Sequence, residues 1–180
     1  MFFRKTGLEG VYVIEPELKT DGRGFFTRTF CKKELAEKGI DFTIAQMNQS
    51  LTKRKGAVRG MHYQKDLKAE DKIVSCLKGR VYDVAVDLRR DSPTYGKFAA
   101  QELSEENKLM MYIPKGLAHG FQTLANGCVM QYLMTEYYSP EHSSGARWDD
   151  PLFGIRWPLK VTDMSEKDKS WPLLAEGRKK

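Results

Sequence analysis

Residues 119–135, HGFQTLANGCVMQYLMT, and residues 72–88, KIVSCLKGRVYDVAVDL, decide the fold class, because each reads as two runs of alternating apolar residues broken by a turn dipeptide. In the first, Asn126-Gly127 is the strongest two-residue hairpin signal, since both positions tolerate positive φ. A hairpin there would pair Ala125 with Cys128, Thr123 with Met130, Phe121 with Tyr132 and His119 with Met134. Alternation then puts His119, Phe121 and Tyr132 on one face, with His119 and Tyr132 diagonal at roughly 7–8 Å. Such a face is either plain core with a hydrogen-bonded tyrosine, or the wall of a site. In the second, Lys78-Gly79 predicts another hairpin, with Lys72, Val74, Cys76, Val81, Asp83 and Ala85 on a shared face. Charges alternating with apolar residues are costly there unless paired. A structural salt bridge and a polar site lining a barrel both remain open for Lys72 and Asp83.

The same patterning recurs in VYVIE, FFTRTF, FTIAQMN, VRGMHYQ, KFAAQEL and LMMYIP. About ten short strands with Gly and Pro punctuation predict an all-β sandwich or barrel of the jelly-roll kind, with a few short peripheral helices. The helix signals are Lys32–Lys38, ended by Gly39 as C′ residue, and a turn begun at Ser104-Glu105-Glu106-Asn107. The chain of 180 residues fits one domain over 1–180, with no internal repeat or linker.

Composition narrows the function classes. The 41% apolar and 30% charged content is that of a globular chain, and no apolar run approaches the ~20 residues of a membrane helix. Three well-separated cysteines, without a CxxC pair, fit free thiols in the cytoplasm better than a disulfide framework. The net charge is +6. The basic residues are scattered apart from KKELAEK, KRK at 53–55 and the terminal GRKK, so no nucleic-acid or membrane partner is expected, whereas a small anionic ligand is compatible.

Metal is not expected: Gln64 stands two places after His62, no HxH or HxxxH occurs, and a cluster of imidazoles would consume nearly all of the 3 histidines. Dinucleotide, P-loop and nucleophile-elbow motifs are missing too. What remains is acid/base work by His and Tyr, with Lys and Arg to hold negative charge. In AVRGMHYQ, alternation puts His62 with Val58, Gly60 and Gln64, and Arg59 on the other face. If both serve one site, Gly60 marks a bulge or bend. By itself a lone strand histidine such as His62 is more often a hydrogen-bonded structural residue than a catalytic one.

Several blocks together carry a resemblance: DGRGFF (21–26), QMNQS (46–50), VRGMHYQ (58–64), the 72–96 stretch, IPKGLAHGFQTL (113–124), YLMTEYYSPEH (132–142), RWDDPLFGIRWP (147–158) and SEKD (165–168). In this order they resemble the nucleotide-sugar 4-keto-6-deoxyhexose 3,5-epimerases, the dTDP-4-dehydrorhamnose 3,5-epimerase family, over roughly residues 7–172. The resemblance implies a cupin-type jelly roll, a homodimer exchanging N-terminal strands, and an isomerase working without cofactor. It also implies His62 as catalytic base with Asp168 as its carboxylate partner, Tyr132 as opposing acid and Lys72 beside the enolate oxygen. His119 and Asp83 become polar supports. Arg23, Phe26, Gln46, Asn48, Arg59 and Tyr138 fall where the family holds the nucleotide diphosphate-sugar.

Two departures qualify the substrate. Arg28 stands at the usual Glu of DxRGFFxE, a place tied to nucleobase recognition, which raises CDP- or GDP-linked 4-keto sugars as alternatives. Lys68-Ala69-Glu70-Asp71 is more acidic than the family pattern. The expected reaction is epimerisation at C3, C5 or both. The competing readings are a C3-only epimerase, a keto-group isomerase between C3 and C4, and a non-catalytic nucleotide-sugar-binding jelly roll.

Overall fold

The computed structural model describes residues 1–174; the terminal GRKK run lies outside the described residues. Thirteen strands are formed among the described residues. The N-terminal third holds β1 (Phe2–Lys5), β2 (Tyr12–Glu15), β3 (Lys19–Asp21), β4 (Gly24–Phe26), the helix α1 (Lys32–Ala36) and β5 (Gln46–Thr52). Then come β6 (Val58–Gln64), a 3-10 turn at Asp66–Lys68, β7 (Lys72–Lys78), β8 (Arg80–Asp87) and β9 (Phe98–Ser104). The chain continues through β10 (Met110–Ile113), β11 (Leu117–Thr123), β12 (Cys128–Met134), β13 (Ser143–Gly145) and a last short helix α2 (Glu166–Lys169).

The strands form two facing sheets, ordered β1-β2-β10-β7-β12-β5 and β13-β6-β11-β8-β9, with β3-β4 as a separate hairpin. From β5 to β12 the chain crosses between the sheets at nearly every connection, staying in one sheet only at the β8–β9 hairpin. That is the jelly-roll path.

This path corrects both hairpins expected from the turn dipeptides. β7 pairs with β10 and β12, while β8 pairs with β11 and β9. β11 pairs with β6 and β8, and β12 with β5 and β7. Lys78-Gly79 and Asn126-Gly127 therefore turn corners between sheets. Gly79 and Gly127 do take positive φ, 75° and 68°. Their polar groups bond elsewhere, however: the Gly79 N–H donates to Glu105 Oε1, the Gly127 N–H to the Lys53 carbonyl, and the Lys55 N–H to Asn126 Oδ1. The same local turn can close a ladder or leave one, and only packing decides.

The inward faces are those that alternation predicted. Val74, Met111 and Met130 of one sheet meet Val81, Ala85 and Phe121 of the other in the central core. Outside the first sheet, Ile73, Met110, Tyr112 and Leu133 pack under Leu35, Ile40 and Phe42. Burying Leu35 alone contributes ~2 kcal/mol. Gly39, at φ 75°, ends α1 as expected, and the Ile40 N–H returns to the Leu35 carbonyl at 3.1 Å. Outside the second sheet, Met61, Val84, Val86 and Ala118 are covered by Ala146 and Phe153.

Smaller corrections concern ends. FFTRTF is strand only through Phe26, β5 begins at Gln46 rather than Phe42, and β12 stops at Met134. Ser104 to Asn107 is a turn without helix, because the Ser104 hydroxyl itself accepts the Glu106 and Asn107 N–H groups.

Candidate active site

A cavity of about 810 Å³ opens between the sheets, and its walls include His62 and His119 from the second sheet and Lys72 and Tyr132 from the first. β6 delivers two side chains to it out of phase. His62 faces His119, yet Arg59 faces Phe121, so the register slips between them. Arg59 and His62 consequently both reach the cavity, and the slip falls at Gly60 as expected. Gly60 has φ 127°, and a Cβ there would lie 2.5 Å from Gly120 Cα and 2.8 Å from the His119 carbonyl. No other residue fits that close approach.

His62 Nε2 lies 2.6 Å from Asp168 Oδ1, and the His62 side chain is 45% exposed while that of Asp168 is 5% exposed. The carboxylate comes from α2, 106 positions along the chain, where Ser165 caps the helix by accepting the Asp168 N–H. Its Oδ2 accepts the Gly60 N–H at 3.2 Å. Burial would raise the pKa of Asp168, but the hydrogen bond and charge of His62, with the Gly60 N–H, outweigh it and hold the carboxyl below its usual range. An ionised carboxylate can only accept. His62 Nε2 therefore carries a ring hydrogen, and in the neutral imidazole Nδ1 is the nitrogen left with a lone pair to take a proton.

Tyr132 stands on the opposite sheet. Its hydroxyl is 3.0 Å from Ser50 Oγ, and its ring meets that of His119 edge-on at 6.1 Å between centroids. The proximity of His119 and Tyr132 expected from a hairpin is real, but it is made across the core between two sheets. Burial pushes the phenol up to about 12, so Tyr132 is protonated at neutral pH and able to donate.

Lys72 opens β7 with its side chain 9% exposed, its Nζ 2.9 Å from Glu70 Oε1 and donating to the His62 carbonyl at 3.3 Å. The salt bridge weighed for Lys72 with Asp83 is thus made with Glu70. Asp83 instead holds His119 Nε2 at 2.7 Å, both buried, and stands behind the cavity wall rather than on it.

Of the remaining expected residues, Asn48, Arg59 and Tyr138 line the cavity. Gln46 does not; its Oε1 accepts the Tyr138 N–H and so fixes that segment. Arg23, Phe26 and Arg28 lie outside the cavity of their own chain. Arg23 is 90% exposed and paired with Asp21, Phe26 is 71% exposed, and Arg28 pairs with Glu34 at 2.6 Å. Reading from sequence did not single out Ser50 or the Gly60 amide. The Ser165-x-x-Asp168 spacing of a capped helix was the available signal for α2. No group of three or more His, Cys, Asp or Glu side chains among the described residues could hold a metal ion.

A jelly roll whose two sheets carry a carboxylate-held histidine, a buried phenol and a lysine around one cavity has the parts of an acid–base enzyme. The comparisons with known proteins agree. The family profile described as dTDP-4-dehydrorhamnose 3,5-epimerase matches residues 5–176. A dTDP-4-dehydrorhamnose 3,5-epimerase of Methanothermobacter thermautotrophicus is 45% identical, over 97% of this chain and 95% of that protein. The crystal structure of the dTDP-4-dehydrorhamnose 3,5-epimerase from Elizabethkingia anophelis superposes with a TM-score of 0.94 at 40% identity, covering 98% and 97% of the two chains. That of a dTDP-6-deoxy-D-glucose-3,5-epimerase from Legionella pneumophila, solved with dTDP-4-keto-L-rhamnose, gives 0.91 at 40% identity over 97% and 93%. The chain belongs to the dTDP-4-dehydrorhamnose 3,5-epimerase family, isomerases that act on carbohydrate, with a cupin-like jelly-roll fold. No helix among the described residues is long and apolar enough to cross a membrane.

Proposed function

We propose that the protein inverts C3 and C5 of dTDP-4-dehydro-6-deoxyglucose, giving dTDP-4-dehydrorhamnose. The C4 ketone makes the hydrogens on both neighbouring carbons removable, because the resulting charge delocalises onto oxygen. His62 Nδ1 takes the proton from one face of the ring. Asp168, 2.6 Å from the other ring nitrogen, stabilises the imidazolium that forms. The charge on the C4 oxygen is met by the Lys72 ammonium. Tyr132 returns a proton to the opposite face; solvent then takes the proton from His62 and restores that of Tyr132, and the same exchange at the second carbon completes the reaction. The observation that carries this reading is the placement of a base and a protonated phenol on opposite sheets of one cavity.

Asn48, Arg59 and Tyr138 on the cavity wall are assigned to the nucleotide diphosphate. For Arg23, Phe26 and Arg28 the reading is different: the β3-β4 hairpin of a second copy would bring them to the site in a homodimer. The exposure of Phe25 and Phe26, 52% and 71%, supports a covered surface there. The charge of Arg28 is neutralised by Glu34, which supports thymidine over the CDP- and GDP-linked alternatives. Three free cysteines support a cytoplasmic setting.

Proton NMR of the protein with dTDP-4-dehydro-6-deoxyglucose in deuterated water tests the proposal. Deuterium is expected at both C3 and C5. Incorporation at C3 alone would make it a 3-epimerase, and none would contradict the reaction.

A further inference from the structure

Asp168 faces His62 from α2, and a helix of 4 residues has no stability of its own with which to hold a carboxylate in place. The chain on either side must fix it. Before α2, the Val58 N–H donates to the Asp163 carbonyl at 3.0 Å and the Thr162 N–H to the Gly56 carbonyl at 3.1 Å, which ties the segment to the start of β6. After α2 there are two anchors. The indole of Trp171 lies against the backbone of Gly145, so closely that a Cβ on residue 145 would overlap the ring. Further on, the Leu174 N–H donates to Oδ2 of Asp150, a buried carboxylate whose Oδ1 accepts the Leu152 N–H at 2.9 Å. Neither anchor lines the cavity, and the reaction above uses neither.

Gly145 is the residue of β13 that pairs with His62. The strand position beside His62 therefore also seats the ring that follows Asp168 in the chain. The Lys167 ammonium lies over that ring, 5.4 Å from its centroid, so the indole touches α2 as well as β13. Its Nε1 is buried with no hydrogen-bond partner among the described residues. Burying an unpaired donor is costly, so the ring is held by its fit on the bare glycine backbone and not by a hydrogen bond. We propose, resting on the reading of His62 as base and Asp168 as its carboxylate, that Trp171 is a positioning residue for the reaction. Wedged on Gly145, it holds α2 at the distance at which Asp168 meets His62, and Asp150 fastens the chain behind it. Without the ring α2 shifts, and a carboxylate drawn back by about 1 Å is beyond hydrogen-bond length of Nε2.

The test is a double-mutant cycle on Trp171 and Asp168, read as deuterium exchange into dTDP-4-dehydro-6-deoxyglucose under single-turnover conditions, with dTDP binding as the count of folded molecules. Misplacing a catalytic group by an ångström costs up to ~100-fold, so Trp171→Ala should exchange at least about tenfold more slowly than wild type while still binding dTDP. Beside Asp168→Asn, where no charge is left to place, the same substitution should slow exchange by less than about twofold. Trp171→Phe, which keeps a flat ring on Gly145, should restore most of the rate. Gly145→Ala displaces the indole from the other side and should likewise slow exchange only where Asp168 is intact. A rate unchanged by Trp171→Ala, or equal slowing with and without Asp168, would overturn the positioning role. So would loss of dTDP binding in both Trp171→Ala and Gly145→Ala, which would make the contact part of the fold alone. A wild type that exchanges at neither C3 nor C5 would instead overturn the reaction itself, and the assignment with it.

Discussion

Asp168→Asn isolates the charge behind His62 with little change of shape. The amide oxygen can still accept the Gly60 N–H, which now bonds Oδ2 at 3.2 Å, so the local fold of α2 should hold. The atom facing His62 Nε2 then becomes an NH₂ donor. A donor there requires Nε2 to accept, which places the ring hydrogen on Nδ1, the nitrogen that must be free to take the proton from the sugar. The imidazolium also loses its counter-charge. Unit charges about 4 Å apart at an effective dielectric near 20 attract by ~4 kcal/mol. The His62 ring is 45% exposed, so solvent screens part of this. A loss of ~2–3 kcal/mol remains, or about 30- to 150-fold in rate. The assay is deuterium exchange at C3 and C5 under single-turnover conditions, with thermal unfolding in parallel. A folded Asp168→Asn protein exchanging within about threefold of wild type would refute the role given to the carboxylate.

Two further outcomes follow from the structure. Gly60→Ala should unfold earlier by ~1–3 kcal/mol and lose activity, since its Cβ would sit 2.5 Å from Gly120 Cα at φ 127°; unchanged melting would refute the close packing of β6 on β11. Stability should also fall in acid. Glu34 is held at about 2 by the N-terminal ammonium and Arg28, and Asp87 at about 2 because Arg89, Ser92 and Thr94 outweigh its burial. Folded values below unfolded ones mean stabilisation that is complete above the normal carboxylate range and lost as pH falls through it toward 2. Urea midpoints should therefore drop between pH 5 and pH 2.5, and Glu34→Gln should shrink that drop; a flat profile would contradict both ion networks.

The sequence made the faces of the strands legible and misassigned their partners. Alternation correctly set Val74, Cys76, Val81, Asp83 and Ala85 inward, because period-two burial is a local property. Pairing is not local. A glycine with positive φ at 79 or 127 serves a hairpin or a corner alike, and long-range bonds such as Gly127 N–H to Lys53 decide between them. The bend at Gly60 was legible for a different reason: two useful side chains on opposite faces of one strand require a slip if they serve one site. The contact of His62 with Asp168 was readable only through family resemblance, since nothing in a spacing of 106 residues announces it. Glu70 was visible only as part of an acidic stretch. Its second carboxylate oxygen is buried without a partner among the described residues, which no pattern of residue types encodes.

The claim that His62 and Tyr132 work from opposite faces is tested most directly by Tyr132→Phe, scoring deuterium exchange and inversion separately by NMR in one reaction. Removing only the hydroxyl, 3.0 Å from Ser50 Oγ, should leave exchange by His62 within about tenfold of wild type while inversion falls ~100-fold or more. Deuterium would then enter with retained configuration. Equal loss of exchange and inversion, or inversion that persists, would contradict the assignment of Tyr132 as the opposing acid.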